Sequence, residues 1–171
     1  MSIAPPLATI TVGVIVERIK AESRWLDYHW RPTAALPGQP DTTPWTKLAG
    51  DEERATYYAG AAEIDLHRTE TGNYRDNLAS GAPSLWVVLR ESSGPMPYQL
   101  HLVTADPAEG EGATEAGNDI VEAVPMPDAV RDRVVAFVAE HHVDEAFVKR
   151  QRDRADPDAL GRRPPARKDD K

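Results

Sequence analysis

A chain that carries one proline-bounded helix after a long series of strand-like segments has few ways to bury its apolar surface. Here that helix comes late. Residues 120–127, Ile-Val-Glu-Ala-Val-Pro-Met-Pro, read as a strand stopped by prolines, with the helix starting at the second one. Pro127 suits the first helical turn, and Asp128 beside it suits the positive end of the helix dipole. Val130, Val134, Phe137, Val138 and His141 then recur at three and four residues, so one stripe of this amphipathic helix seeks cover. The cover must come from upstream, where strand patterns dominate.

Residues 8–18 are rich in β-branched side chains, with Ile10, Val12, Val14 and Val16 on one face at period two. Residues 28–36 read as a second strand, which Pro32 pushes to an edge or a bulge because proline has no ladder N–H. Pro37-Gly38 closes it in a turn. Residues 39–53 read as loop, anchored by Trp45. Residues 54–68 read as two strands or one bent strand, with Gly60 at a bulge. Ile64 and Leu66 face one way; Glu63, Asp65 and His67 face the other. Thr69 or Thr71 caps a short helix to about Leu78, ended by Ser80-Gly81-Ala82-Pro83. Residues 85–90, Leu-Trp-Val-Val-Leu-Arg, are too apolar for a wet face and read as a central strand with Trp86 in the core. Residues 91–97 form a hairpin loop to a partner strand, 98–104. The glycines of 108–118 make that acidic stretch a poor helix.

This order predicts an α+β fold: an antiparallel sheet, flat or curled toward a barrel, packed against the C-terminal helix. Residues 1–7 are expected to be a flexible start, 8–153 one domain and 154–171 a disordered polar tail. Asp144 is placed to cap a further short helix to about Arg152.

Of 171 residues, 40% are hydrophobic, enough for one core, and no apolar run approaches the ~20 residues of a spanning helix. The N-terminus lacks the basic start of a signal peptide, which points to a cytoplasmic protein without membrane partners. There is no cysteine, so a thiolate nucleophile, a thiolate-held metal and a relayed persulfide on this chain are excluded. The net charge of −8 is uneven: residues 149–171 hold nine Lys/Arg and five Asp, a net of +4, leaving −12 on residues 1–148. A body this acidic argues against nucleic acid as a partner, since phosphates need clustered cations.

Several clusters could carry chemistry. Glu63, Asp65 and His67 on one strand face, with His101 on a neighbour, offer oxygen and imidazole ligands, but at the spacing of any wet strand; no metal or other cofactor is assigned. His141 and His142 point about 100° apart on a helix and cannot easily share an ion; His142 suits the terminal carbonyls. Arg68, Thr69 and Thr71 with Arg75 form a candidate anion site, where a guanidinium meets a helix N-terminus. Trp25 and Trp30 lie among polar residues near an edge strand and suit a partner surface, where Trp is enriched. No phosphate-binding glycine loop, nucleophile elbow or paired-histidine zinc motif is present.

Six segments taken together resemble the uncharacterised bacterial domain family numbered 3305. They are Ser23-Arg24-Trp25; Trp30-Arg31-Pro32 with Leu36-Pro37-Gly38; Arg68-Thr69-Glu70-Thr71 with Tyr74-Arg75-x-Asn77-Leu78; residues 83–90; Val124-Pro125-Met126-Pro127; and His141-His142-Val143 with Phe147-Val148-Lys149-Arg150. The resemblance covers roughly residues 10–155. It implies a gene neighbourhood of molybdenum-dependent formate dehydrogenases and their maturation factors. The corresponding expectation is a non-enzymatic accessory protein that binds a formate dehydrogenase subunit or a maturation factor. Trp25, Trp30, Arg68, Tyr74, Arg75, His142, Lys149 and Arg150 are its candidate contacts. The alternative is an enzyme that binds pterin or nucleotide, with Arg68 and Arg75 on a phosphate and His67 or His101 as acid/base. Some family members bear a molybdopterin-guanine dinucleotide biosynthesis label. The nearest match here to that nucleotide loop, Leu48-Ala49-Gly50-Asp51-Glu52-Glu53-Arg54, lacks its second Gly and its Ser, and its acidic residues would repel a triphosphate.

Overall fold

The computed structural model describes residues 4–115 and 117–144. Seven strands and three helices follow one another as β1 (Ala8–Lys20), β2 (Tyr28–Pro37), β3 (Thr46–Gly50), β4 (Arg54–Leu66), α1 (Thr71–Ala79), β5 (Ser84–Glu91), β6 (Tyr98–Thr104), α2 (Pro107–Ala113), β7 (Ile120–Pro125) and α3 (Asp128–His141). One 3-10 turn, Arg68–Glu70, leads into α1. The fold is α+β, but the single expected sheet is two antiparallel sheets, one of order β2-β1-β4-β3 and one of order β6-β5-β7. β4 lies alongside β6 and β2 alongside β7. The core is therefore shared: Val12, Val14 and Val16 of the first sheet meet Leu85, Val87 and Leu89 of the second, and Val130, Val134 and Phe137 of α3 close it.

Two irregularities keep the long strands on this core. A one-residue slip turns a strand's whole apolar set to the other face unless a bulge corrects it. In β4 the register against β1 shifts between Val14/Gly60 and Ile15/Tyr58, so Ala59 is the extra residue. Ala59, Ile64 and Leu66 then all reach the core despite their mixed parity. Gly60 permits this because its φ is 126°, a region costly for side-chain-bearing residues. In β2 the shift falls between Ala34 and Pro32, on the edge of the sheet, where a missing N–H costs least.

The 39–53 stretch is not all loop. Trp45 adopts φ 65°, its N–H bonds to the Tyr58 carbonyl, and the chain returns as β3 along β4. All five β3 residues are exposed, so no buried periodicity marks this edge strand in the sequence.

The glycine-rich acidic stretch likewise contains a helix, α2. The Asp106 carboxylate accepts from the Ala108 N–H at 2.9 Å, which satisfies one orphan donor of the first turn. Gly110 lies against the indole of Trp86: a Cβ there would come within 2.2 Å of the ring. Trp86 is therefore not the core residue expected. It is half-buried and packs against α2.

The threonines expected to cap α1 do not. Its N-cap is Glu70, without a side-chain cap bond, and Thr71 Oγ1 donates instead to the Arg68 carbonyl at 3.1 Å. What fixes α1 is Asn77, 3% exposed. Its Nδ2 donates to the Ser84 and Ala105 carbonyls at 2.8 and 2.9 Å, and its Oδ1 accepts from the Ser84 N–H at 3.0 Å. One amide thus ties α1 to the start of β5 and the end of β6. α3 begins one residue after its N-cap, Pro127. No helix among the described residues is long and apolar enough to cross a membrane.

Candidate functional site

The expected polar cluster is at the end of the molecule where β4 runs into α1. Tyr74 is not a surface residue there. It is 1% exposed and packs edge-on against Phe137 at 6.2 Å. Its hydroxyl accepts from the His67 N–H at 3.0 Å and reaches the Asp65 carbonyl at 3.4 Å. Burial pushes its phenol up to about 12, partly opposed by the bond from His67. A group enclosed in this way offers nothing to a partner, and the contact expected of Tyr74 is withdrawn.

His142 is the hub of the surrounding network. Since Thr71 Oγ1 donates to Arg68, it accepts from His142 Nδ1–H at 3.0 Å. His142 Nε2 lies 2.9 Å from Arg75 Nη1 and 3.0 Å from Asp144 Oδ1. Arg75 Nη1 also donates to Asp144 at 2.8 Å. The bond from His142 and then that from Arg75 hold the Asp144 carboxyl below its ordinary range. The arrangement links the end of α3 to α1. The His142 imidazole thus bonds to α1, and only its backbone N–H reaches a carbonyl of its own helix, that of Val138; the His141 ring lies tilted against Phe137 at 4.5 Å.

Arg68, Thr69 and Thr71 do line one open depression of about 610 Å³, together with Gly72, His141 and His142. Arg75 is absent from that lining; its guanidinium faces Asp144. The Glu70 carboxylate, bonded to Thr69 and Asn73, already occupies the positive end of α1, and Asp106 shares Asn73 with it. Two carboxylates there oppose a further anion. Glu63, Asp65 and His101 are exposed on β4 and β6, and among the described residues no three His, Asp or Glu stand together as metal ligands. Lys149, Arg150 and the helix expected after Asp144 lie outside the described residues.

The opposite end of β1 carries a different site. The loop after β1 lifts Trp25 into solvent, 95% exposed. Trp30, on β2, is half-buried and immobilised by three rings: Tyr57 at 5.5 Å, Trp45 at 5.9 Å and Tyr98 at 6.4 Å. Such pairs contribute roughly 0.5–1.5 kcal/mol each beyond their buried area. Trp25, Tyr28, Trp30, Tyr57 and Tyr98 line a groove of about 470 Å³, walled by Pro95, Met96 and Pro97 of the β5–β6 hairpin.

Arg18 crosses the groove floor. Its guanidinium lies 4.2 Å from the Tyr28 ring centroid, and its terminal nitrogens donate to the Tyr57 hydroxyl at 2.9 Å and the Asp51 carbonyl at 3.0 Å. Its Nε–H is enclosed without a partner, a cost that the stacking and the two bonds offset. Asp27 lies in the lining, and Glu91 pairs across from Tyr98 and helps raise its phenol, after burial. Among the described residues neither carboxylate has an ion-pair partner. The groove is thus a rigid aromatic surface with acidic margins. Its geometry suits flat contact with a partner and provides no nucleophile–base pair.

Sequence reasoning singled out Trp25 and Trp30 but not Arg18, Tyr28, Tyr57 or Tyr98. Arg18 and Trp30 are directly paired between β1 and β2, a register that the bulge at Thr33 hides. Tyr98 arrives from the other sheet.

A family model described as "Protein of unknown function (DUF3305)" matches residues 11–151, and the chain belongs to that family. No curated protein and no solved structure matches the chain.

Proposed function

We propose that this chain is a non-enzymatic accessory protein that acts by binding another protein through the aromatic groove. The observation that carries this reading is Trp25, a bare indole 95% exposed beside a half-buried, locked Trp30. Exposing an indole forfeits roughly 1.5–3 kcal/mol of burial available to a large apolar side chain, and Trp is the residue most enriched where partners dock. The Pro95–Pro97 wall and the pinned Arg18 keep the groove open in one shape, which lowers the ordering cost of association.

The partner we infer is a subunit or maturation factor of a molybdenum-dependent formate dehydrogenase, on the strength of the family resemblance and its gene neighbourhood. In this reading Trp25 and Trp30 are primary contacts. Arg68, Arg75 and His142 belong to a second face at the other end of the molecule; Lys149 and Arg150, outside the described residues, remain candidate contacts. Loss of the protein should lower formate dehydrogenase activity without lowering the transcript. Wild-type protein should restore it, and Trp25→Ala should not. Normal activity in the deletion strain would overturn the proposal.

A further inference from the structure

We propose that the groove is occupied by the chain's own residues 162–168, Arg-Arg-Pro-Pro-Ala-Arg-Lys, which compete there with the protein partner. The inference rests on the groove being a protein-binding face, and it assigns the chemistry that face selects.

A groove floored by Trp and Tyr faces, rather than by aliphatic side chains, selects for extended proline-containing segments. Pyrrolidine rings lie flat on aromatic rings, and a polyproline II segment has little conformational entropy left to lose. Trp30 and Tyr98 stand 6.4 Å apart at an interplanar angle of 57°, and Trp30 and Tyr57 stand 5.5 Å apart at 41°. Rings in contact at these tilts form one continuous, ridged aromatic floor on which two successive pyrrolidine rings can lie. Pro164-Pro165 is such a pair, with Arg162, Arg163, Arg167 and Lys168 around it.

Charge favours the same occupant. Among the described residues, Asp27 and Glu91 at the groove margin have no ion-pair partner. The one cation in its lining, Arg18, is turned into the floor by Tyr28, Tyr57 and the Asp51 carbonyl. A basic segment therefore meets two carboxylates and a cation already engaged.

The connection is long enough. Asp144, the last of the described residues, is held by Arg75 near the Ala8 end of β1. The groove begins at Arg18, near the other end of the same strand. The 13 residues of β1 span about 40 Å at roughly 3.3 Å per residue. The 18 residues from Asp144 to Arg162 reach at most about 60 Å at ~3.3–3.6 Å each. Tethering supplies an effective concentration on the order of 1 mM, enough to hold a weak ligand in place.

The absence of cysteine in the chain makes the test clean. A nitroxide on the full-length Asp169→Cys variant is read against the four tryptophan indole N–H signals. The expected result is loss of intensity for Trp25, Trp30 and the Trp45 indole packed 5.9 Å from Trp30. Trp86, behind α2 at the other end of the molecule, should be spared. The loss should vanish when Pro164→Ala and Pro165→Ala are added. Equal broadening of Trp86, no broadening, or broadening indifferent to the two prolines would overturn the proposal. A sample mixing isotope-labelled chain with spin-labelled, isotope-free chain separates the sources. Loss that appears in this mixed sample as well would assign the groove to a second copy and overturn occupancy by the chain's own segment. No formate dehydrogenase protein is needed for this readout. Partner capture without broadening would therefore remove this inference and leave the binding function standing.

Discussion

Replacing Asn77 separates a structural amide from a surface one. Asn77→Ala removes three hydrogen bonds at a residue 3% exposed. Each such bond contributes about 1 kcal/mol net, and a buried donor left unpaired adds roughly 1–3 kcal/mol. The orphan N–H of Ser84 is the expensive one, so the total should fall at about 3–5 kcal/mol. That is a large part of the ~5–15 kcal/mol by which a domain is stable. Asn77→Asp is the sharper perturbation. It keeps an acceptor for Ser84 N–H but turns an ionised carboxylate toward the Ser84 and Ala105 carbonyls. The carboxylate should therefore have a raised folded-state pKa, because burial and the carbonyl dipoles both favour the protonated form. A raised acid pKa contributes nothing below the unfolded value and costs stability as pH rises through and beyond it. Urea unfolding between about pH 4 and 8, bracketing the ordinary aspartate value of ~3.9 from above, should show Asn77→Asp losing stability relative to wild type as pH rises. Asn77→Ala should hold a constant deficit. A pH-independent Asn77→Asp deficit, or one below about 1 kcal/mol, would refute the tie assigned to this amide.

Other expectations follow from the packing. Tyr74, whose phenol is pushed up to about 12 from an ordinary 10, should cost the fold stability as pH rises from 10 to 12, because the unfolded chain releases the proton that the folded phenol keeps. The loss should approach about 2–3 kcal/mol, and alkaline unfolding of Tyr74→Phe should lack that component. Gly110→Ala places a methyl inside the Trp86 ring; it should cost roughly 1–3 kcal/mol and shift the Trp86 emission, whereas Gly112→Ala, with open space around it, should not. Trp25→Ala should leave the unfolding midpoint unchanged within about 0.5 kcal/mol; a larger loss would mean that the indole packs rather than presents itself.

Much of the architecture is legible because it rests on local rules. The alternation in 8–18, the stop at Pro37-Gly38, the central run 85–90 and the proline-bounded α3 all lie where their patterns place them. Pro32 and Gly60 sit at register shifts for the reasons their backbones dictate. What is not legible depends on neighbours far away in sequence. β3 has no buried face to leave a period. α2 exists because Asp106 caps it and Trp86 needs a glycine opposite. Tyr74 looks like one of several exposed polar residues until Phe137 is laid against it. The groove is the clearest case: Trp30 and Trp25 attract notice alone, but Arg18, Tyr57 and Tyr98 join them only when four strands from two sheets converge.

The most direct test of the binding function is affinity capture from formate-grown cells of the source organism with tagged wild-type protein and tagged Trp25→Ala, the eluates identified by mass spectrometry. Wild type should retain a formate dehydrogenase subunit or maturation factor, and Trp25→Ala should lose it while remaining folded. A wild-type eluate without such a protein, or equal recovery by Trp25→Ala, would contradict the role assigned to the groove.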